Sequence, residues 1–198
     1  MFILYAVVGG VIVGLVLGGR LDGLADLSFR WVWAALLGLA AQVVLFSAAG
    51  SRAAGDAAPA LYVASTALVL AFVLRNVRTT GMPIVALGAA ANLVAIVANG
   101  GTMPASRGAL ETAGLSAGTG FTNSRELAAP LFAPLGDVLA LPAGMPLANV
   151  FSVGDVLIGA GVLVLIVAAM RRPAAAAPAG PSATPPAASP PGGTGTSG

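Results

Sequence analysis

Apolar and polar positions along this chain are segregated into long blocks and do not alternate. Residues 1–19 form an apolar run that carries no charge before Arg20. Further runs cover 31–49, 58–74, 82–98 and 153–170, with Arg75 and Arg78 closing the third and Arg171-Arg172 closing the last. A membrane-crossing helix needs roughly 17–25 predominantly apolar residues. The pattern therefore predicts an all-α, polytopic membrane protein with about five transmembrane helices. The third run is short for a crossing; with Ala57 included it reaches about 27 Å, close to the hydrocarbon thickness. Trp31 and Trp33 stand at the start of the second run, where an interfacial aromatic belt is expected. The first run lacks the basic leader and cleavage site of a signal peptide and is read as an uncleaved span.

Polar residues inside and between the runs refine the picture. Gly10, Gly14 and Gly18 recur every four residues, a doubled GxxxG that predicts close helix packing in lipid. Gln42 and Asn92 fall near the middle of the second and fourth runs, which run in the same direction, so the two amides are expected to hydrogen-bond or share a water. The alternative is a polar lining for a solute path. Residues 20–30 read as a short solvated connection whose charges cancel. Residues 99–152 form a long outer loop: flexible over 113–120, a helix start at Asn123 with Glu126 three residues on, then short helical pieces and turns broken by Pro130, Pro134, Pro142 and Pro146. The membrane domain is thus 1–172. Residues 173–198 hold seven of the fourteen prolines and should be disordered.

Composition narrows the chemistry. Hydrophobic residues make up 58% of the chain and charged residues 8%, against about 25% charged in a soluble domain. Cys and His are absent and all nine cations are Arg, which removes thiolate and Schiff-base chemistry and the commonest general base and metal ligand. No cofactor and no metal is expected. A net charge of +2 is too small for a nucleic-acid surface. The lipid bilayer is the implied partner, beside which another membrane protein or a further copy of this chain is considered.

Two polar clusters flank the outer loop, Asn99-Gly100-Gly101-Thr102-Met103-Pro104 and Asn149-Val150-Phe151-Ser152-Val153-Gly154-Asp155. Helix ends explain much of both. Ser152 and Asp155 match a capping box, and Asn99 before two glycines suits a left-handed helix end. The sharper reading is a ligand- or partner-binding site built from Asn99, Gly100, Gly101, Met103, Pro104, Asp137, Asn149, Ser152 and Asp155, with Asp155 the acid nearest a hydrophobic zone. The order N-G-G-x-M-P, L-G-D at Leu135–Asp137 and F-S-V-G-D at Phe151–Asp155 resembles a bacterial family of small multi-span membrane proteins catalogued only as a domain of unknown function. That resemblance, over roughly 1–172, implies the architecture and no activity.

Six Arg lie beside the span ends on one side (Arg20, Arg30, Arg75, Arg78, Arg171, Arg172) and three on the other (Arg52, Arg107, Arg125). The positive-inside rule then predicts an inner-membrane protein with its N-terminus and outer loop outside and its tail cytoplasmic. Three functions remain open: a non-enzymatic accessory or scaffold component using the outer polar site, an uncoupled small-solute transporter or channel subunit, and an outer-face enzyme relying on Glu111, Glu126, Asp137 and Asp155.

Overall fold

Apolar helices dominate the computed structural model, which describes residues 2–115 and 123–172. Among these residues the helices are α1 (Phe2–Val16), α2 (Asp22–Ala25), α3 (Val32–Leu45), α4 (Ala48–Ala54), α5 (Ala58–Arg75), α6 (Met82–Ala98), α7 (Arg107–Thr112) and α8 (Val153–Met170). Four short strands accompany them: β1 (Met103–Pro104), β2 (Ser124–Arg125), β3 (Leu139–Leu141) and β4 (Asn149–Phe151). The tail expected to be disordered, and most of the loop expected to be flexible, lie outside the described residues.

Local chemistry sets the helix ends. Pro59 and Pro83 occupy the first turns of α5 and α6, where a missing N–H costs nothing. α1 stops at Val16 because Gly18 turns left-handed at φ +75°. Gly18 therefore leaves the packing stripe to which the GxxxG spacing assigned it, and a Cβ there would meet open space. α3 stops at Leu45 because Ser47 is extended and its Oγ accepts the Gly50 N–H at 3.0 Å, capping α4 instead.

These stops correct the expectation of five full-length spans. Two helical stretches, Ala48–Arg75 and Val153–Met170, are long and apolar enough to cross a membrane. Phe2–Val16, Val32–Leu45 and Met82–Ala98 are apolar but shorter. The 14 residues of α3 reach only about 21 Å.

The long helices form a row in the order α1, α8, α6, α5, α3, each packed on the next. Small residues set the crossings. Gly10 faces Ile166 and Gly14 faces Met170 across α1 and α8. Gly88 and Gly154 bring the α6 and α8 backbones together, and Gly81 and Gly161 repeat that approach seven residues away along each chain. Gly38 sits against the backbone of Ser65 and Val69 on α5. Many small residues lie inside and many large apolar ones outside. Ala34, Ala58, Ala89 and Ala95 are buried, whereas Leu36, Leu37, Val43, Val44, Leu61, Leu87 and Val97 point outward and are half or more exposed.

The remaining segments depart from expectation in specific ways. The 20–30 connection is docked, not free: Arg20 N–H donates to Met170 O at 2.8 Å, and Gly23 of α2 lies against Ala169. Asn123 caps no helix; instead Ser124–Arg125 pairs in parallel with Met103–Pro104, and Ala105 N–H donates to Arg125 O at 2.8 Å. The proline-broken stretch forms a 3-10 turn at Ala133–Leu135 and an antiparallel hairpin of β3 and β4. Its strands are too short to show alternation in sequence.

Candidate functional site

Cavity and motifs meet at one end of the bundle. That end is made by the starts of α1, α5 and α8 and the finishes of α3 and α6, covered by the 99–152 segment. A cavity of about 510 Å³ opens there and runs down between the helices. Its wall on α6 extends from Met82 to Ile96, about 21 Å of helix. The deep part is apolar, with Val73, Met82 and Leu165. The covered end carries Asn92, Asn123, Asp137, Asn149 and Asp155.

Asn92 is the hub of the polar end. Its Nδ2 donates to Asp155 Oδ1 at 2.9 Å, and its Oδ1 accepts the Ser152 hydroxyl at 2.7 Å. Ser152 N–H donates to Asp155 Oδ2 at 3.0 Å, while Asp155 N–H donates to Ser152 Oγ at 3.0 Å, which completes the capping box read from the sequence. Ser152 is fully buried. Glycine at 154 is obligatory for this geometry, because a Cβ there would fall on Asn92 Oδ1. The expected pair of Gln42 with Asn92 does not form. Gln42 Nε2 donates to Thr66 Oγ1 at 3.2 Å instead, because α5 stands between α3 and α6 in the row. Thr66 is in turn tied by its own hydroxyl to Tyr62 O at 2.8 Å. Both polar pairs line the cavity.

The N-G-G-x-M-P stretch acts as a connector. Asn99 Nδ2 donates to Ala95 O at 2.7 Å and to Leu131 O at 2.9 Å, and its Oδ1 accepts the Leu131 N–H at 2.8 Å. One side chain thus caps α6 and pairs with both backbone groups of a distant residue. Gly100 and Gly101 are left-handed at φ +66° and +81°, and Gly101 passes so close to Pro59 that a side chain would not fit. Met103 and Pro104 are buried, and Pro104 O accepts the Asp137 N–H at 2.8 Å. The L-G-D turn is therefore latched onto the first motif. Asn149 sits on β4, opposite Leu141.

Asp137 is 4% exposed, and its carboxylate accepts the Ser124 hydroxyl. Burial pushes its carboxyl up to about 6, Asp155 pushes the same way, and the Ser124 bond and the amino terminus oppose them. Among the described residues no Arg lines the cavity. The other acids of the 99–152 segment stand apart: Glu111 is exposed, and Glu126 pairs with Arg107 at 3.0 Å on the surface.

Sequence reasoning missed Asn76. This residue repeats the Asn99 device at the end of α5: its Nδ2 donates to Phe72 O and to Arg30 O, both at 2.8 Å, and its Oδ1 accepts the Arg30 N–H at 2.8 Å. In both cases the residue after the clamped one is an aromatic in the left-handed region, Trp31 at φ 61° and Phe132 at φ 51°. An Asn at the end of an apolar run, one residue past it at Asn76 and directly after it at Asn99, was the available signal.

No curated protein and no solved structure matches the chain. A family model does, over residues 26–167, a range that takes in α3, α5, α6, the 99–152 segment and most of α8. The match is narrower than the 1–172 implied by the resemblance, and it includes all three motif stretches. By that match the chain belongs to the DUF5317 family, described as a family of unknown function.

Proposed function

We propose that this protein is a non-enzymatic, multi-span membrane component whose working part is the cavity, and that it holds a small amphiphilic molecule there. The carrying observation is the cavity's polarity gradient, apolar toward Met82, Val73 and Leu165 and polar toward the covered end, with the Gln42–Thr66 pair also on its wall. Volumes of 300–1,000 Å³ with a few converging polar groups are typical of small-ligand sites. The accessory or scaffold role expected from the sequence is compatible with this, but the buried positions of Ser152 and Asp137 favour a small ligand over a partner's loop. Catalysis is not part of the proposal, because Asp137 and Asp155 have no His, Cys or Lys to work with.

The proposal includes five helices in the bilayer. Outward-facing Leu and Val on α3, α5 and α6 support it, because such a surface needs lipid around it. The three shorter helices would be matched by local thinning of the bilayer. The N-terminus and the 99–152 segment are placed outside, on the Arg count. A Cys at Ser106 should react with an impermeant maleimide on intact cells and one at Ser182 should not; the opposite labelling would refute the orientation. The ligand proposal is tested by native mass spectrometry of protein released from native-membrane nanodiscs. A stoichiometric lipid-sized adduct is expected, and a bare protein mass from every preparation would refute it. A solute path is the second reading, favoured by the Gln42–Thr66 and Asn92–Asp155 pairs set along one cavity. Solute flux in proteoliposomes would decide for it.

A further inference from the structure

The cavity has a weak side. The row of helices is bent so that α1 and α3, its two ends, both contribute to the cavity wall, through Phe2 and Ile3 and through Ala35, Leu39 and Gln42. Each neighbouring pair in the row is packed on the next, whereas among the described residues α1 and α3 make at most marginal contact. Two residues facing the cavity from these helices are also open to the surroundings, Ile3 at 39% and Leu39 at 51% exposed. The opposite wall is the tight glycine crossing of α6 with α8. The polar end is closed over by β4, whose Phe151 stacks on Phe2 with ring centroids 4.6 Å apart. A molecule reaching the cavity from the lipid phase therefore passes between α1 and α3.

The chemistry of the polar end selects the head group. Two carboxylates, Asp137 and Asp155, line it, and among the described residues no Arg does, although the positive amino terminus also acts on Asp137. Asn92 has committed one donor to Asp155 and its carbonyl to Ser152. An anionic head would meet like charge in a place poorly screened by solvent, whereas a positive head would meet its complement. We infer that the occupant is a single-chain amphiphile with an ammonium head group, which enters sideways between α1 and α3 and lies with its tail along the apolar wall and its head at Asp155 and Asp137. This inference rests on the reading of the cavity as an amphiphile site.

The test uses the full chain in dodecylmaltoside and three probes of equal chain length: dodecylammonium, dodecanol and laurate. Binding is read from the saturable rise in the melting midpoint followed by Trp31 and Trp33 fluorescence. Dodecylammonium should bind at least ten-fold more tightly than either other probe, a difference of about 1.4 kcal/mol. In D137N that preference should shrink while dodecanol binding stays the same. D155N disturbs the capping box, so D137N is the decisive variant, and a D137N protein that keeps the full preference would overturn the head-group assignment. Equal binding of dodecanol and dodecylammonium to the native chain would overturn it too, yet would leave the cavity reading in place. Failure of all three probes would overturn both. A dodecylammonium carrying a diazirine in its tail should label peptides of α1 and α3; labelling confined to α6 and α8 would overturn the sideways route.

Discussion

The contact between Asn92 and Asp155 is the part of the structure most open to a quantitative check. Removing the Asn92 side chain (N92A) takes away the 2.9 Å donor to Asp155 Oδ1 and the 2.7 Å acceptor of the Ser152 hydroxyl together. Side-chain hydrogen bonds between membrane helices contribute about 0.6 kcal/mol on average and up to about 1.7. One of these two bonds is to a carboxylate, which raises its share, because charge-assisted bonds are roughly twice as strong. A loss of about 2 kcal/mol is therefore expected for N92A. Part of that loss is specific to the pair and should appear as coupling of about 1–2 kcal/mol in a double-mutant cycle with D155A. The companion cycle of N92A with Q42A should be additive within about 0.5 kcal/mol, because Gln42 bonds Thr66 and not Asn92. Both cycles can be measured by reversible unfolding in mixed micelles, with the fluorescence of Trp31 and Trp33 as the signal. Additivity in the first cycle together with coupling in the second would refute the helix order on which the whole site is built.

Three further outcomes follow from named contacts. G154A should destabilise by about 2–3 kcal/mol or prevent assembly, since its Cβ would overlap Asn92 and press on the Gly88 carbonyl, whereas G9A, which meets open space in a helix interior, should gain up to about 1 kcal/mol in the same assay. Asp137 holds its proton more tightly when folded than when unfolded, so the folded state binds more protons between about pH 4 and 6 and stability must fall as the pH rises through that window. The fall attributable to this residue is on the order of 3 kcal/mol. The D137N protein, compared with the native chain at each pH, should lack that component; parallel curves would refute it. N76A should cost about 1–3 kcal/mol by leaving the Arg30 backbone groups without their partners, and hydrogen exchange at the Arg30 amide should rise with it, an unchanged rate being the contrary result.

The sequence makes helix positions legible and neighbour relations illegible. Each apolar run produced its helix, and where a run was too generous a local signal already marked the true end: Gly18 for α1 and Ser47 for α3. The capping box at Ser152 was legible because both partners lie within four residues. The partner of Gln42 was not, because similar depth in the bundle does not make two helices adjacent; the order of the row depends on glycine crossings distributed over the chain. Those crossings were only half readable. The four-residue spacing of Gly10 and Gly14 predicted a packing face on α1 but not its partner, α8, whereas Gly81, Gly88, Gly154 and Gly161 form a seven-residue pattern on two helices whose meaning appears only when α6 and α8 are laid antiparallel. Asp137 was legible as a candidate from its motif, but its burial depends on the latch to Pro104, a contact across 33 positions of sequence.

The Asn99 clamp also bears on how this protein ages. An Asn followed by Gly is the dipeptide most prone to spontaneous deamidation, because glycine offers no hindrance when the next backbone nitrogen attacks the side-chain carbonyl carbon. Asn99 and Gly100 form such a pair. Here the attacking nitrogen donates to Val97 O at 3.2 Å, and the Asn99 amide is fixed by three hydrogen bonds, so neither atom is free to approach the other. The fold shields a labile bond for as long as it stays folded. Once opened, the side chain would hydrolyse to a carboxylate that can no longer donate to Ala95 O or Leu131 O, and the segment around Leu131 would lose its anchor on α6. Time spent open would then leave a permanent chemical record at position 99, readable by peptide mass as a rising deamidated fraction.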